Sequence, residues 1–184
     1  GKLYLGANAV TSAYLGSLQL LSQSALAWTY GVNTALGSTT ITLLSQGTVD
    51  YTVDWGDSSS QDSTSNSLSH TYSASGSYVV TISTNSGTDY SPYFNNSSDA
   101  DVLTSIQAAT NASIGTLNSA FWGANNVTSF VCPFSTTGSV GGLWSNAFRE
   151  FNSLTSFPLI DTSIATSFSS TWFNCSLLTS FPLI

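Results

Sequence analysis

The feature that most constrains this chain is a repeat. Leu103-Thr104-Ser105-Ile106, Val127-Thr128-Ser129-Phe130, Leu154-Thr155-Ser156-Phe157 and Leu178-Thr179-Ser180-Phe181 follow one another at intervals of 24, 27 and 24 residues. Phe121, Phe148 and Trp172 each stand six residues before the apolar start of a unit, and Leu117, Trp144 and Phe168 stand four residues before those. A period of this length makes each unit one coil of a solenoid, because a single unit cannot bury its apolar side alone and stacking does so. The apolar pair spaced i, i+4 predicts a helical or turn segment, and the tetrapeptide predicts a strand. Residues 102–184 are thus expected to form about three stacked coils with Leu103, Val127, Leu154 and Leu178 on one inner face. The sequence closes on Phe181-Pro182-Leu183-Ile184 without the polar residues that end a solenoid. Leu183 and Ile184 are therefore expected to meet a partner or further chain.

Charged residues are few, and their balance is acidic, with a formal net charge of −7 at pH 7. Two basic residues, Lys2 and Arg149, stand against nine acidic ones, and charged residues make up 6% of the 184, where about 25% is typical. No basic patch exists to neutralise phosphates, which argues against nucleic acid as a partner, and the same lack disfavours anionic membranes. No apolar run approaches the ~20 residues of a membrane span, so membrane insertion is not expected, and the opening Gly1-Lys2-Leu3 does not read as a signal peptide. Five Trp, eight Tyr and ten Phe supply the burial that an ordered β-rich fold needs. A surface of Ser, Thr, Asn and Gly suits tight assembly, since few charges must be desolvated when subunits pack.

Residues 39–83 alternate with period two. Thr40-Ile41-Thr42-Leu43, Tyr51-Thr52-Val53-Asp54-Trp55 and Tyr78-Val79-Val80-Thr81-Ile82 predict half-buried strands of an antiparallel sandwich. Residues 21–38 are mixed, and the chain is expected to enter this unit near Ala27-Trp28. The ordered set "VDWGD" (53–57), "HTY" (70–72) and "GSYVVTI" (76–82) resembles the PKD-type immunoglobulin-like domain, in which these motifs are structural. The resemblance implies that Trp55 fills the core and Asp57 caps a turn. Ser58 stands where many members of that family have glycine. The polar stretch 84–101 reads as a bridge whose Tyr90, Tyr93 and Phe94 wedge two modules together.

The coil pattern resembles BspA-like leucine-rich repeats. "WFNCSLLTSFPLI" (172–184) carries it best, with Cys175 in the family's cysteine slot and Ala124 and Phe151 in that slot earlier. At the other end Tyr4-Leu5-Gly6 recurs as Tyr14-Leu15-Gly16. Each copy reads as strand, turn, strand, and such arms are similar to YLG repeats of tailed-phage fibre and tail proteins. The expected order is YLG β-hairpin arms (1–26), an Ig-like β-sandwich with its bridge (27–101) and a leucine-rich-repeat-type solenoid (102–184).

Candidate chemistry is sparse. His70 is the single histidine, and its place in a structural motif predicts packing rather than catalysis. Asp54, Asp57, Asp62, Asp99 and Asp101 are read as turn caps and solvated carboxylates, with a Ca²⁺ site or paired-carboxylate hydrolysis as the weighed alternatives. Cys132 and Cys175 are expected to be reduced, Cys132 sharing its register position with Leu159 and Leu183. No catalytic residue, metal ligand or cofactor is assigned. Trp122 and Phe173, each directly after a periodic aromatic, are candidates for ligand or subunit contact, with Tyr4, Tyr14, Leu183 and Ile184. The resemblances imply a non-enzymatic virion-surface protein, a tail or fibre subunit or a capsid-attached decoration. Its partners would be other virion proteins or copies of itself, and a host-surface protein or glycan in attachment. A bacterial cell-surface adhesin is the alternative, and a polysaccharide-degrading spike a remote one.

Overall fold

The computed structural model describes residues 4–5, 8–9, 25–47, 49–85, 90–109, 116–132, 142–160, 162 and 165–181. It is mainly β, with two sheets facing one another and mostly antiparallel pairing. Among the described residues there is no α-helix, only a 3-10 turn at Thr34–Leu36. Strands β1 (Tyr4–Leu5) and β2 (Asn8–Ala9) pair as a separate antiparallel ladder. This places Tyr4 and Leu5 of the first YLG copy in a strand pair; the second copy, with Tyr14, lies outside the described residues.

The chain enters the first sheet through β3 (Ala25–Asn33), then crosses to the second sheet with β4 (Thr40–Gln46). It returns through β5 (Tyr51–Asp54) and β6 (Ser60–Ser63), crosses to β7 (Ser67–Thr71) and comes back as β8 (Ser77–Thr84). Short β9 (Ser91–Pro92) borders β4, while β10 (Leu103–Ala108) and β11 (Ser129–Val131) rejoin the first sheet. The strand orders are β11-β10-β3-β8-β5-β6 and β7-β4-β9. The alternation in β4, β5 and β8 turns Ile41, Leu43, Tyr51, Val53, Val80 and Ile82 into the space between the sheets, where all are buried. Trp28, Tyr30 and Val32 of central β3 complete that layer.

β10 belongs to two neighbourhoods at once. It pairs antiparallel with β3 (Ile106 opposite Tyr30) and parallel with β11 (Ile106 opposite Phe130). The division anticipated between residues 101 and 102 thus meets a continuous sheet, and the buried side chains form one cluster from Ala27 to Ile160. Phe94, expected as part of a wedge, is also the first rung of a ladder. Phe94, Phe121, Phe148 and Trp172 stack with centroid separations of 6.1, 6.3 and 6.3 Å. Tyr30 abuts the first rung and Trp28 the second, at 5.8 and 5.3 Å. A second stack runs Phe130, Phe157, Phe181 at 5.3 and 5.4 Å.

Turns, not helix, carry the i, i+4 pairs. Ala120 N–H donates to Leu117 O and Ala124 N–H to Phe121 O, with Ser119 and Gly123 left-handed (φ 52° and 86°). Asn146 and Glu150, then Ser170 and Asn174, repeat those left-handed positions. A left-handed third residue is the signature of a type II turn and interrupts a right-handed helix. At Gly123 the requirement is doubled, since a Cβ would also lie 2.6 Å from Asn96 Oδ1.

Of the four residues expected on one inner face, Leu103, Val127 and Leu154 are buried. Leu178 is only partly buried, because it lies in the last described coil. The shared register of Cys132 and Leu159 does not persist: Cys132 is buried and Leu159 is 71% exposed. β11 runs through Val131, paired with Gln107. In the next coil Pro158 holds the matching position, has no N–H to extend a ladder, and Ile160 turns inward instead.

Candidate functional site

The motif residues of the sandwich converge on one corner. After β5, Asp54 Oδ1 accepts the Gly56 N–H at 2.9 Å, and Asp57 Oδ1 accepts the Ser59 N–H at 3.0 Å and its hydroxyl at 2.5 Å. These are Asx-type caps that hold a sharp reversal. Gly56 (φ 77°) is required there, since a Cβ would collide with the Val79 carbonyl. Ser58, two residues on, is also left-handed (φ 72°). From the opposite sheet, His70 Nε2 meets Asp57 Oδ2 at 2.8 Å while its ring stacks on Trp55 at 4.7 Å. Tyr72 O–H donates to Trp55 O at 2.9 Å.

Electrostatics follow from these contacts. The Ser59 hydroxyl, with His70 and the Ser59 N–H, holds the Asp57 carboxyl down to about 2, against a smaller opposing effect of partial burial. Ser59 and His70 both address Asp57 and not each other, whereas a nucleophile is activated by a base bonded to it. The corner is built as a brace between sheets. Asp99 accepts the Thr42 N–H at 3.2 Å, yet burial raises its carboxyl above the ordinary value. Asp101 receives Asn125 Nδ2 at 3.0 Å and Asp62 the Thr52 hydroxyl at 2.6 Å. Among the described residues no three His, Cys, Asp or Glu side chains gather as a metal-binding group.

Both thiols are free. Burial raises Cys132. Burial also raises Cys175, whose Sγ lies 3.2 Å from Phe148 O. A raised thiol is a poor nucleophile near neutral pH.

The coils bring Trp122 and Phe173 into one row. Each follows a ladder aromatic by one residue, and Arg149 holds the equivalent position between them. Its guanidinium carbon sits 4.7 Å from the Trp122 ring centroid and 4.7 Å from that of Phe173. Glu150 closes the group, accepting from Trp122 Nε1 at 3.2 Å and from Arg149 Nε at 3.4 Å. The chain's one arginine thus stacks on both candidate aromatics. The shared register position of residues 122, 149 and 173 is the sequence signal for this row. Tyr4 lies in β1; Leu183 and Ile184 lie outside the described residues.

The last described coil is the more exposed surface. Phe168 is 40% exposed, Phe173 57%, Leu177 52% and Phe181 41%. Apolar patches of this kind mark contact surfaces in soluble proteins. No protein-family model, curated protein or solved structure matches the chain.

Proposed function

We propose that this is a non-enzymatic structural protein, a PKD-type Ig-like sandwich continued by BspA-like leucine-rich coils, working as a virion component in a tail, fibre or capsid decoration. The observation that carries the reading is a surface poor in charged residues on which apolar side chains of sheets and coils alike stand exposed, Val79 at 58%, Leu143 at 52% and Phe173 at 57% among them. Its apolar side chains gain by burial against another surface, and few charges oppose that burial. The braced corner at Asp57 and His70 supports a structural role, since its polar groups are occupied with one another. The YLG resemblance favours a virion over other assemblies.

Immunogold electron microscopy with serum raised against the chain tests this. Label on phage tails or capsids is the expected result. Label confined to the bacterial envelope would move the protein to the adhesin class. Turnover of host polysaccharide by the purified chain would replace both readings.

A further inference from the structure

One backbone position recurs from coil to coil in the left-handed region: Asn96 (φ 59°), Gly123 (φ 86°), Glu150 (φ 68°) and Asn174 (φ 62°). Asparagine and glycine tolerate that conformation, whereas a glutamate there is strained. Strain of this kind persists where the surroundings hold it, and it gathers at functional sites. What holds Glu150 is its carboxylate. Oε2 accepts from Trp122 Nε1 at 3.2 Å and Oε1 from Arg149 Nε at 3.4 Å. The group has a coil on either side: Gly123 N–H donates to Arg149 O, and Glu150 N–H donates to Phe173 O.

Glu150 thereby orients the chain's one arginine. Trp122 and Phe173 flank the guanidinium, each ring centroid 4.7 Å from its carbon. Nε is tied to Glu150 and Nη1 donates to Asn146 Oδ1 at 3.4 Å, while Nη2 meets no acceptor among the described residues. The side chain is 28% exposed. With its faces covered and Nε engaged, that exposure belongs to the Nη edge.

The chemistry of this edge selects a ligand. Rings stacked on a cation turn their electropositive rims outward beside it, and both oxygens of Glu150 are already taken by donors. The edge is thus a row of donors, and the acceptor that fits the Nη fork is a carboxylate. The surroundings decide what carries it. The chain bears a formal charge of −7 and Glu150 stands alongside, which repels a dense polyanion or an acidic peptide. Asn146 keeps its Nδ2 for a neutral partner, since its bond to Arg149 uses Oδ1. One carboxylate on an otherwise neutral, hydroxyl-bearing body is a sugar acid.

We propose that the Nη edge of Arg149, set between Trp122 and Phe173 and oriented by Glu150, is a binding site for a carboxylated pyranose, a uronate residue of a surface polysaccharide. Arg149 receives the carboxylate, Asn146 a neighbouring hydroxyl, and Glu150 is a positioning residue. The site goes beyond the assembly reading and does not depend on it.

Trp122 Nε1–H reports on the site in the unaltered chain, because it bonds the carboxylate that holds Arg149. Sodium glucuronate titrated into the full chain is expected to shift that indole resonance in nitrogen–proton NMR, the resonance being identified by its loss in Trp122→Phe. Glucose and sodium acetate are expected to bind at least roughly tenfold more weakly. Arg149→Lys keeps the charge but not the fork, and is expected to weaken glucuronate about tenfold in a chain that still melts cooperatively. No shift with glucuronate overturns the site, and so does equal affinity in Arg149→Lys. Should that variant fail to fold, the unaltered chain decides, since glucose binding as tightly as glucuronate also overturns the site. Acetate or a short polyglutamate peptide binding as tightly as glucuronate would assign the edge to carboxylates of another kind and overturn the sugar.

Discussion

The sandwich corner and the coil stack reach rigidity by different routes. At the corner, side chains hold backbone: Asp54, Asp57, His70 and Tyr72 each bond a particular atom of a single turn. In the coils, backbone holds backbone, and the side chains add a ladder of rings repeated at nearly constant spacing. The first kind of structure fails at a point. The second depends on neighbours, so the weight of a position follows how completely adjacent coils cover it.

The sharpest test of that difference is within the ladder. Phe148 is buried between Phe121 and Trp172, so Phe148→Ala is expected to cost about 3–5 kcal/mol. Phe173→Ala, at 57% exposure, is expected to cost under about 1 kcal/mol. Equal shifts in urea midpoint would break the comparison. Leu154→Ala, in a buried position, should cost about 2–5 kcal/mol, and Leu178→Ala clearly less, measured in the same way.

Gly56→Ala probes the point-like region. The left-handed backbone and the collision with Val79 predict a loss of about 1–3 kcal/mol, with increased amide exchange concentrated in β5, β6 and β8. Loosening spread evenly into the coils would contradict the localised picture. Arg149→Ala removes the contacts to both rings and is expected to cost about 1 kcal/mol, read from thermal melting.

The smallest effect is electrostatic. Asp57 is held at about 2 in the folded chain against an ordinary 3.8. A carboxyl depressed by folding stabilises above its ordinary value, and that contribution is lost as pH falls through the folded value. The melting temperature is therefore expected to slope downward between about pH 4 and pH 2, and Asp57→Asn to flatten part of that slope. An unchanged slope in Asp57→Asn would remove Asp57 from the account.

Periodic and alternating features were legible in the sequence because burial imposes them. Ile41 and Leu43, Tyr51 and Val53, and the series Leu103, Val127, Leu154 all announce an inner face. β6, with Ser60, Gln61, Asp62 and Ser63, is an exposed edge whose pattern carries no such imprint. Phe94 was hidden by three extra residues: nine separate it from Leu103, whereas six separate Phe121 from Val127. An added turn, in which Ala100 N–H bonds Ser97 O and Leu103 N–H bonds Ala100 O, absorbs them. For the site, the neighbours of Trp122 were readable by register, but the role of Arg149 needed the stacking distance. The left-handed turns at Ser119, Asn146 and Ser170 were not legible, because the i, i+4 pairs fit a helix as well as turns.

The strand β10 also sets an order of events in time. Its antiparallel partner β3 lies about 75 residues earlier, so this ladder closes only once a long stretch of chain has collapsed. Its parallel partner β11 starts 26 residues after β10 begins, and each later coil needs only the one before it. A slow first stage that sets the sandwich with β10 in place is then followed by fast winding, one coil at a time, away from it. Unfolding runs the same path backwards, with the ladder between β3 and β10 the last of these contacts to part.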